Sequence, residues 1–166
     1  MSTFLILSVL QGAAILIDEI FFHHKRGLPR WERIGHPIDT ATVLSCLLFL
    51  SFAPRTPMTE WIYIGLAIAS TICITKDEWV HRKFCTGTEM WLHAVLFIVH
   101  PLLLYVAYHE WEISRFYFQM VSVGVTAFFF YQIIYWNVIE YRLREKKRIA
   151  TFRRATDQEL YDYFAE

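Results

Sequence analysis

Acidic and histidine side chains recur together in this chain at spacings of three and four. Glu19 and His23 are four apart, as are Asp77 and His81, and Glu89 and His93; Glu78 and His81, and His36 and Asp39, are three apart. On an α-helix such pairs share a face, with Cβ atoms about 5–6 Å apart, so an acid and an imidazole can reach one metal ion or two adjacent ones. A carboxylate-rich bundle with Glu-x-x-His elements is how some four-helix proteins hold two iron or manganese ions. Imidazole mixed with carboxylate also suits iron better than structural zinc, which favours thiolates and a closed shell. The expected metal ligands are therefore Glu19, His23, His36, Asp39, Glu78, His81, Glu89 and His93. No residue is marked by spacing as catalytic in its own right.

Four more residues stand behind these, as further ligands or as partners of ligands: Asp18, His24, Asp77 and His100. His23 and His24 are adjacent and cannot share a helical face, and His23 has the better spacing. Asp18 competes with a role at the polar end of a span, Asp39 with an N-cap role, and Asp77 with Glu78 for one inward position. His100 lies seven residues beyond His93, about 10 Å along a helix axis, too far to join the same metal unless the helix distorts at Pro101. Asn137 and Glu140 have the right depth but read as a solvated helix end.

The elements that must position these groups are apolar helices. Hydrophobic residues make up 55% of the 166, and charged residues 19%, below the roughly 25% usual for soluble domains. The charges sit between long apolar runs, the pattern of an all-helical, multi-pass membrane protein. Five spans are expected near residues 3–22, 38–53, 60–75, 89–108 and 116–139, the fourth capped by Thr88. The third is expected to continue as a helix to Lys83. A bundle over 1–141 would carry the metal site, and 142–166 would form a basic, amphipathic helical tail on the cytoplasmic side. The first run reads as a retained span, not a signal peptide, because no basic residue precedes it and Asp18-Glu19 stand where a cleavage site would lie. An ionisable group in hydrocarbon costs at least about 2.5–3.5 kcal/mol on insertion scales, so the acids and histidines inside these runs need a purpose.

Positive charge concentrates after the first and third spans and in the tail, while the other side offers only Arg55 and Arg115. The positive-inside rule then puts the N-terminus outside and the C-terminus in the cytoplasm. It also brings five of the seven histidines to one cytoplasmic face. Asp18-Glu19 with His23-His24 and Asp77-Glu78 with His81 form a weak internal echo, as if two helical hairpins each supplied half of a two-metal site. Trp31, Trp61, Trp79, Trp91, Trp111 and Trp136 lie near span ends, where membrane-interface anchoring is the expected role. Cys46, Cys73 and Cys85 form no metal-binding spacing, and a net charge of zero gives no electrostatic reason to expect nucleic acid.

In ligand type and cytoplasmic placement, the stretches 18–39 and 77–100 resemble the membrane-embedded di-iron enzymes of the desaturase and hydroxylase class. The HxxxH and HxxHH boxes of that class are absent, and the ligand set is richer in carboxylate. The resemblance implies two metal ions, iron first with manganese or zinc as alternatives. It implies an oxidoreductase that activates dioxygen to oxidise a hydrophobic or lipid-like substrate, with membrane lipids and an electron-donor protein as partners. Two other functions fit the residues: a single-zinc hydrolase of a lipid amide or ester, and an ion or proton pathway.

Overall fold

The computed structural model describes residues 2–76, 85–147 and 149–150, and these are helical without any strand. Helix α1 (Thr3–Ile17) starts where Ser2 accepts a hydrogen bond from the Leu5 amide. It widens into a π-helical segment, Asp18–His23, and after one more turn, His24–Arg26, ends at Gly27. Gly27 has φ of 75°, a conformation that suits glycine, and the Arg144 guanidinium occupies the place a Cβ would take. Helix α2 covers Arg30–Phe52 and α3 covers Pro57–Thr75. Helix α4 covers Gly87–His109, and α5 (Arg115–Ile134) passes into a second π segment, Tyr135–Ile139, before continuing over 140–147.

Three details differ from the sequence expectations. Helix α2 begins at Arg30, not near residue 38, and carries Pro37 in its interior. Proline cannot donate to the carbonyl four residues back, but the Asn137 side chain of α5 donates to that Arg33 carbonyl at 3.1 Å. A tertiary contact thus repairs the defect that the sequence pattern reads as a loop. The α4 cap is Thr86, not Thr88, because Thr86 and Glu89 bond reciprocally as a capping box. Trp111 is not an interfacial anchor: it is wholly buried, donating to the Ala53 carbonyl at 3.3 Å. Trp31, Trp61 and Trp91 are exposed, whereas Trp79 lies outside the described residues. So does the tail beyond 150.

The helices pack in the order α1–α4–α3–α2–α5, with α2 also approaching α4. At the end that holds the start of α1, Phe4, Leu50, Tyr63, Leu104, Trp111 and Phe118 form a dry core. There Phe4 and Phe118 meet edge to face at 4.7 Å, and the Tyr63 hydroxyl donates to the Leu104 carbonyl at 2.8 Å. Large apolar side chains such as Val9, Ile72, Ile98 and Val123 point outward. Among the described residues, five helical stretches are long and apolar enough to cross a membrane: Thr3–His23, Arg30–Phe52, Pro57–Ile74, Gly87–His109 and Arg115–Lys147.

The start of α1 is tied down by Glu110, in the turn between α4 and α5. Its carboxylate accepts from the Ser2 hydroxyl at 2.5 Å, the Ser114 hydroxyl at 2.6 Å and the Thr3 amide at 3.0 Å. These bonds fill donors that a helix start leaves open. Burial raises the pKa of this carboxyl, but the bonds from Ser114, Ser2 and the Phe4 and Thr3 amides outweigh it and leave Glu110 below the ordinary glutamate value. A carboxyl with a depressed folded pKa contributes its full stability above the unfolded pKa and loses it as pH falls through the folded one. Glu110→Gln is therefore expected to cost about 1 kcal/mol at neutral pH. It should also weaken the loss of stability below about pH 4.5, the ordinary value; thermal unfolding in detergent across pH checks both.

Candidate metal centre

The π segment of the first helix sets the geometry at the other end of the bundle. In an α-helix Asp18 and His23, five residues apart, would be rotated by roughly 140° from one another. The wider π turn lets both Asp18 and Glu19 face His23. The imidazole lies between them, its Nε2 3.1 Å from Asp18 Oδ2 and its Nδ1 3.1 Å from Glu19 Oε2. Across the bundle, His93 Nε2 of α4 meets the same Asp18 oxygen at 3.1 Å. Asp18, Glu19, His23, Glu89 and His93 are all buried, from 1% exposed for Glu89 to 6% for Asp18.

Two sets of potential ligand atoms converge here, each lying within 4.8 Å of one another. One is Asp18, His23, Glu89 and His93; the other is Glu19, His23 and His36, so His23 belongs to both. The His36 ring lies 4.7 Å from that of His23, centroid to centroid. Among the described residues, Asp18 makes its ion-pair contacts with the two histidines and with no lysine or arginine. Its Oδ1 is buried without a hydrogen-bond partner, and so is His23 Nε2, which has the distance to Asp18 but not the alignment. A buried carboxylate oxygen in this condition is costly unless a cation or proton meets it. Two carboxylates and two imidazoles are a suitable donor set for a divalent transition metal.

Behind this set stands Trp136, which the sequence reading assigned to the membrane interface. It is buried in the second π segment and donates Nε1–H to Glu19 Oε1 at 2.5 Å. Glu19 therefore joins the Trp136 indole to His23 Nδ1, an arrangement that fixes the tilt and tautomer of a metal-binding imidazole. The sequence clue to Trp136 was its place beside Asn137, which reads as lying at the depth of Glu19. Two buried glutamines in apolar runs, Gln11 and Gln132, were also passed over.

The remaining predicted residues fall in other places. Asp39 lines the same cavity, of about 120 Å³, but stands outside both ligand sets, with Lys76 Nζ 2.6 Å from each of its carboxylate oxygens. His24 is exposed, hydrogen-bonded to the Tyr131 hydroxyl at 2.7 Å and stacked on Tyr135. Asp77, Glu78 and His81 lie outside the described residues. His100 lines the cavity deeper in the bundle, within a directed chain of hydrogen bonds. The Gln11 amide donates to His100 Nδ1 at 3.0 Å, and His100 Nε2–H then donates to Ser70 Oγ at 3.0 Å. Ser70 donates on to Thr42 Oγ1 at 2.9 Å, and Thr42 to the Asp39 carbonyl at 2.7 Å. Both nitrogens of His100 are thus engaged, and it belongs to neither ligand set.

Comparisons with protein-family models, with curated proteins and with solved structures give no match for this chain. The reading of the site therefore rests on its geometry. Ser70→Ala is expected to leave the buried His100 Nε2–H without an acceptor and to cost about 1–2 kcal/mol. Thermal unfolding of the purified protein measures this, and Ser70→Thr, which retains a hydroxyl, should restore most of the loss.

Proposed function

We propose that this chain is a multi-pass integral membrane protein, N-terminus outside, with a metal centre at its cytoplasmic face. We propose further that it is a non-haem iron oxidoreductase using dioxygen on a hydrophobic substrate. The observation that carries the reading is the buried convergence of Asp18, His23, Glu89 and His93, with an orphan Asp18 oxygen among them. Those four residues would hold one ion. Glu19 and His36 would hold a second, together with Glu78 and His81, which lie outside the described residues. Bound iron would supply dioxygen activation and the oxidising power for an unreactive C–H bond. Asp18, Glu19 and Glu89 offset its charge, and the Glu19–Trp136 pair holds the His23 ring. Ile15, Leu96, Phe97 and Phe128 line the cavity and keep bulk water away. An electron-donor protein would dock on the same face.

A second reading has its own support. Glu19 already engages both Trp136 and His23 Nδ1, so it can act as the orienting acid for a single ion held by the other four residues. One zinc there would activate water for hydrolysis of a lipid amide or ester. An ion or proton pathway is disfavoured: the hydrogen-bond chain through His100 reaches mid-bundle, and beyond it Leu104, Leu50 and Phe4 form the dry core.

Metal analysis of detergent-purified protein separates these readings. About two iron ions per chain are expected; one zinc per chain moves the assignment to the hydrolase, and a folded, metal-free protein overturns both. Asp18→Asn and His93→Ala should each empty the centre while leaving helicity by circular dichroism intact. Trp136→Phe is expected to retain the fold but to weaken metal affinity about 10–100-fold, read by competition with a chelator.

A further inference from the structure

Helices α1 and α5 meet where Phe4 packs on Phe118 but, among the described residues, do not pack closely along the rest of their length. Between them lies an apolar cleft of about 580 Å³, floored by Val43 and Leu47 of α2 and Leu103 of α4. That volume is within the range of roughly 300–1,000 Å³ typical of ligand pockets. Gln11, Ile15, Thr40 and Phe128 line both this cleft and the smaller polar cavity of the metal centre. The two spaces therefore abut, and anything lying in the cleft has one end beside the ligand set.

The dimensions and charges of the cleft select its occupant. Its α1 wall runs from Leu5 to Leu16, about 16 Å at 1.5 Å per residue. That is about half of the roughly 30 Å hydrocarbon thickness of a bilayer, the reach of one lipid chain and too short for a crossing helix. Beyond the metal-centre end, Lys25 and Arg30 are exposed, at the level where anionic headgroups are attracted. The cleft is also kept open at Gly12 and Gly124, where a Cβ would meet no atom within 4 Å.

We propose that the cleft binds one acyl chain of an anionic phospholipid from the leaflet on the metal-centre side. The carbons near the ester lie beside Ile15 and Phe128, and the methyl end points toward Leu5. The identification of this lipid as substrate rests on the metal-centre reading above; the binding itself rests on the cleft.

The test uses the full chain in nanodiscs containing phosphatidylglycerol with a diazirine near the ester of one acyl chain. After irradiation, cross-links mapped by mass spectrometry should concentrate on the peptides holding Ile15 and Phe128. Gly124→Phe and Gly12→Leu, which grow side chains into open space, should reduce that labelling about tenfold with metal content unchanged. Gly65→Leu on α3, also without neighbours within 4 Å, should leave it unaltered. If Gly124→Phe fails to fold, Gly12→Leu carries the comparison. Labelling spread evenly around the bundle, or labelling unaffected by the filled cleft, overturns the proposal. So does a cleft cross-linked to a second copy of the chain. Labelling retained in a protein without metal would instead overturn the enzyme reading and leave the lipid site standing.

Discussion

The buried imidazole of His23 is the contact on which the polar end of this molecule depends. It meets Asp18 on one edge and Glu19 on the other, which adjacent acids can do only because the helix widens there by one residue per turn. A regular α-helix would turn one of the acids away toward lipid or solvent. The second π segment, in α5, brings Trp136 to the far oxygen of Glu19. Two local departures from α geometry thus meet across the bundle at one carboxylate. π-Bulges are frequent at functional sites, and here each re-aims one side chain: Asp18 toward His23, and Trp136 toward Glu19.

The distribution of polarity follows from the same need. Outward faces carry valine, isoleucine and phenylalanine, while glutamine, serine, histidine and carboxylate side chains lie inside. Buried polar groups are tolerated when they satisfy one another, and most here do. The Gln11–His100–Ser70–Thr42 chain uses each donor in one direction, and Thr40 donates to Gln132 at 2.7 Å. The buried oxygens of Gln11 (Oε1), Ser8 and Ser122 depart from this pattern within the bundle, and Asp18 Oδ1 departs from it at the point where the potential ligand atoms converge. The opposite end is sealed by aromatic and leucine side chains.

Between these ends, α1 is fastened at two levels. Glu110 holds its start to the α4–α5 turn, and Glu19 holds its π segment to Trp136. The stretch between is free of close packing against α5 and leaves the lateral cleft. The cleft opens toward the side of the bundle instead of its end.

Much of this was legible from residue order alone. The length and spacing of apolar runs point to the five long apolar helices found among the described residues. The i, i+4 pairs Glu19–His23 and Glu89–His93 are visible as a chemical pattern, and the tertiary structure puts both pairs at one end of the bundle. The contact of Asp18 with His23 is not visible in α-helical spacing, since it exists only in the wider turn. The early start of α2 was hidden because Pro37 reads as a breaker until Asn137, a hundred residues on, takes the carbonyl it leaves open. Trp136 and the cleft were hidden for a related reason: both depend on which helices become neighbours. Helix formation and apolar patterning are local properties of the chain. The convergence of the acids and histidines, the Trp136–Glu19 bond and the cleft between α1 and α5 are pairings between distant segments, and side-chain packing decides them only when the bundle closes.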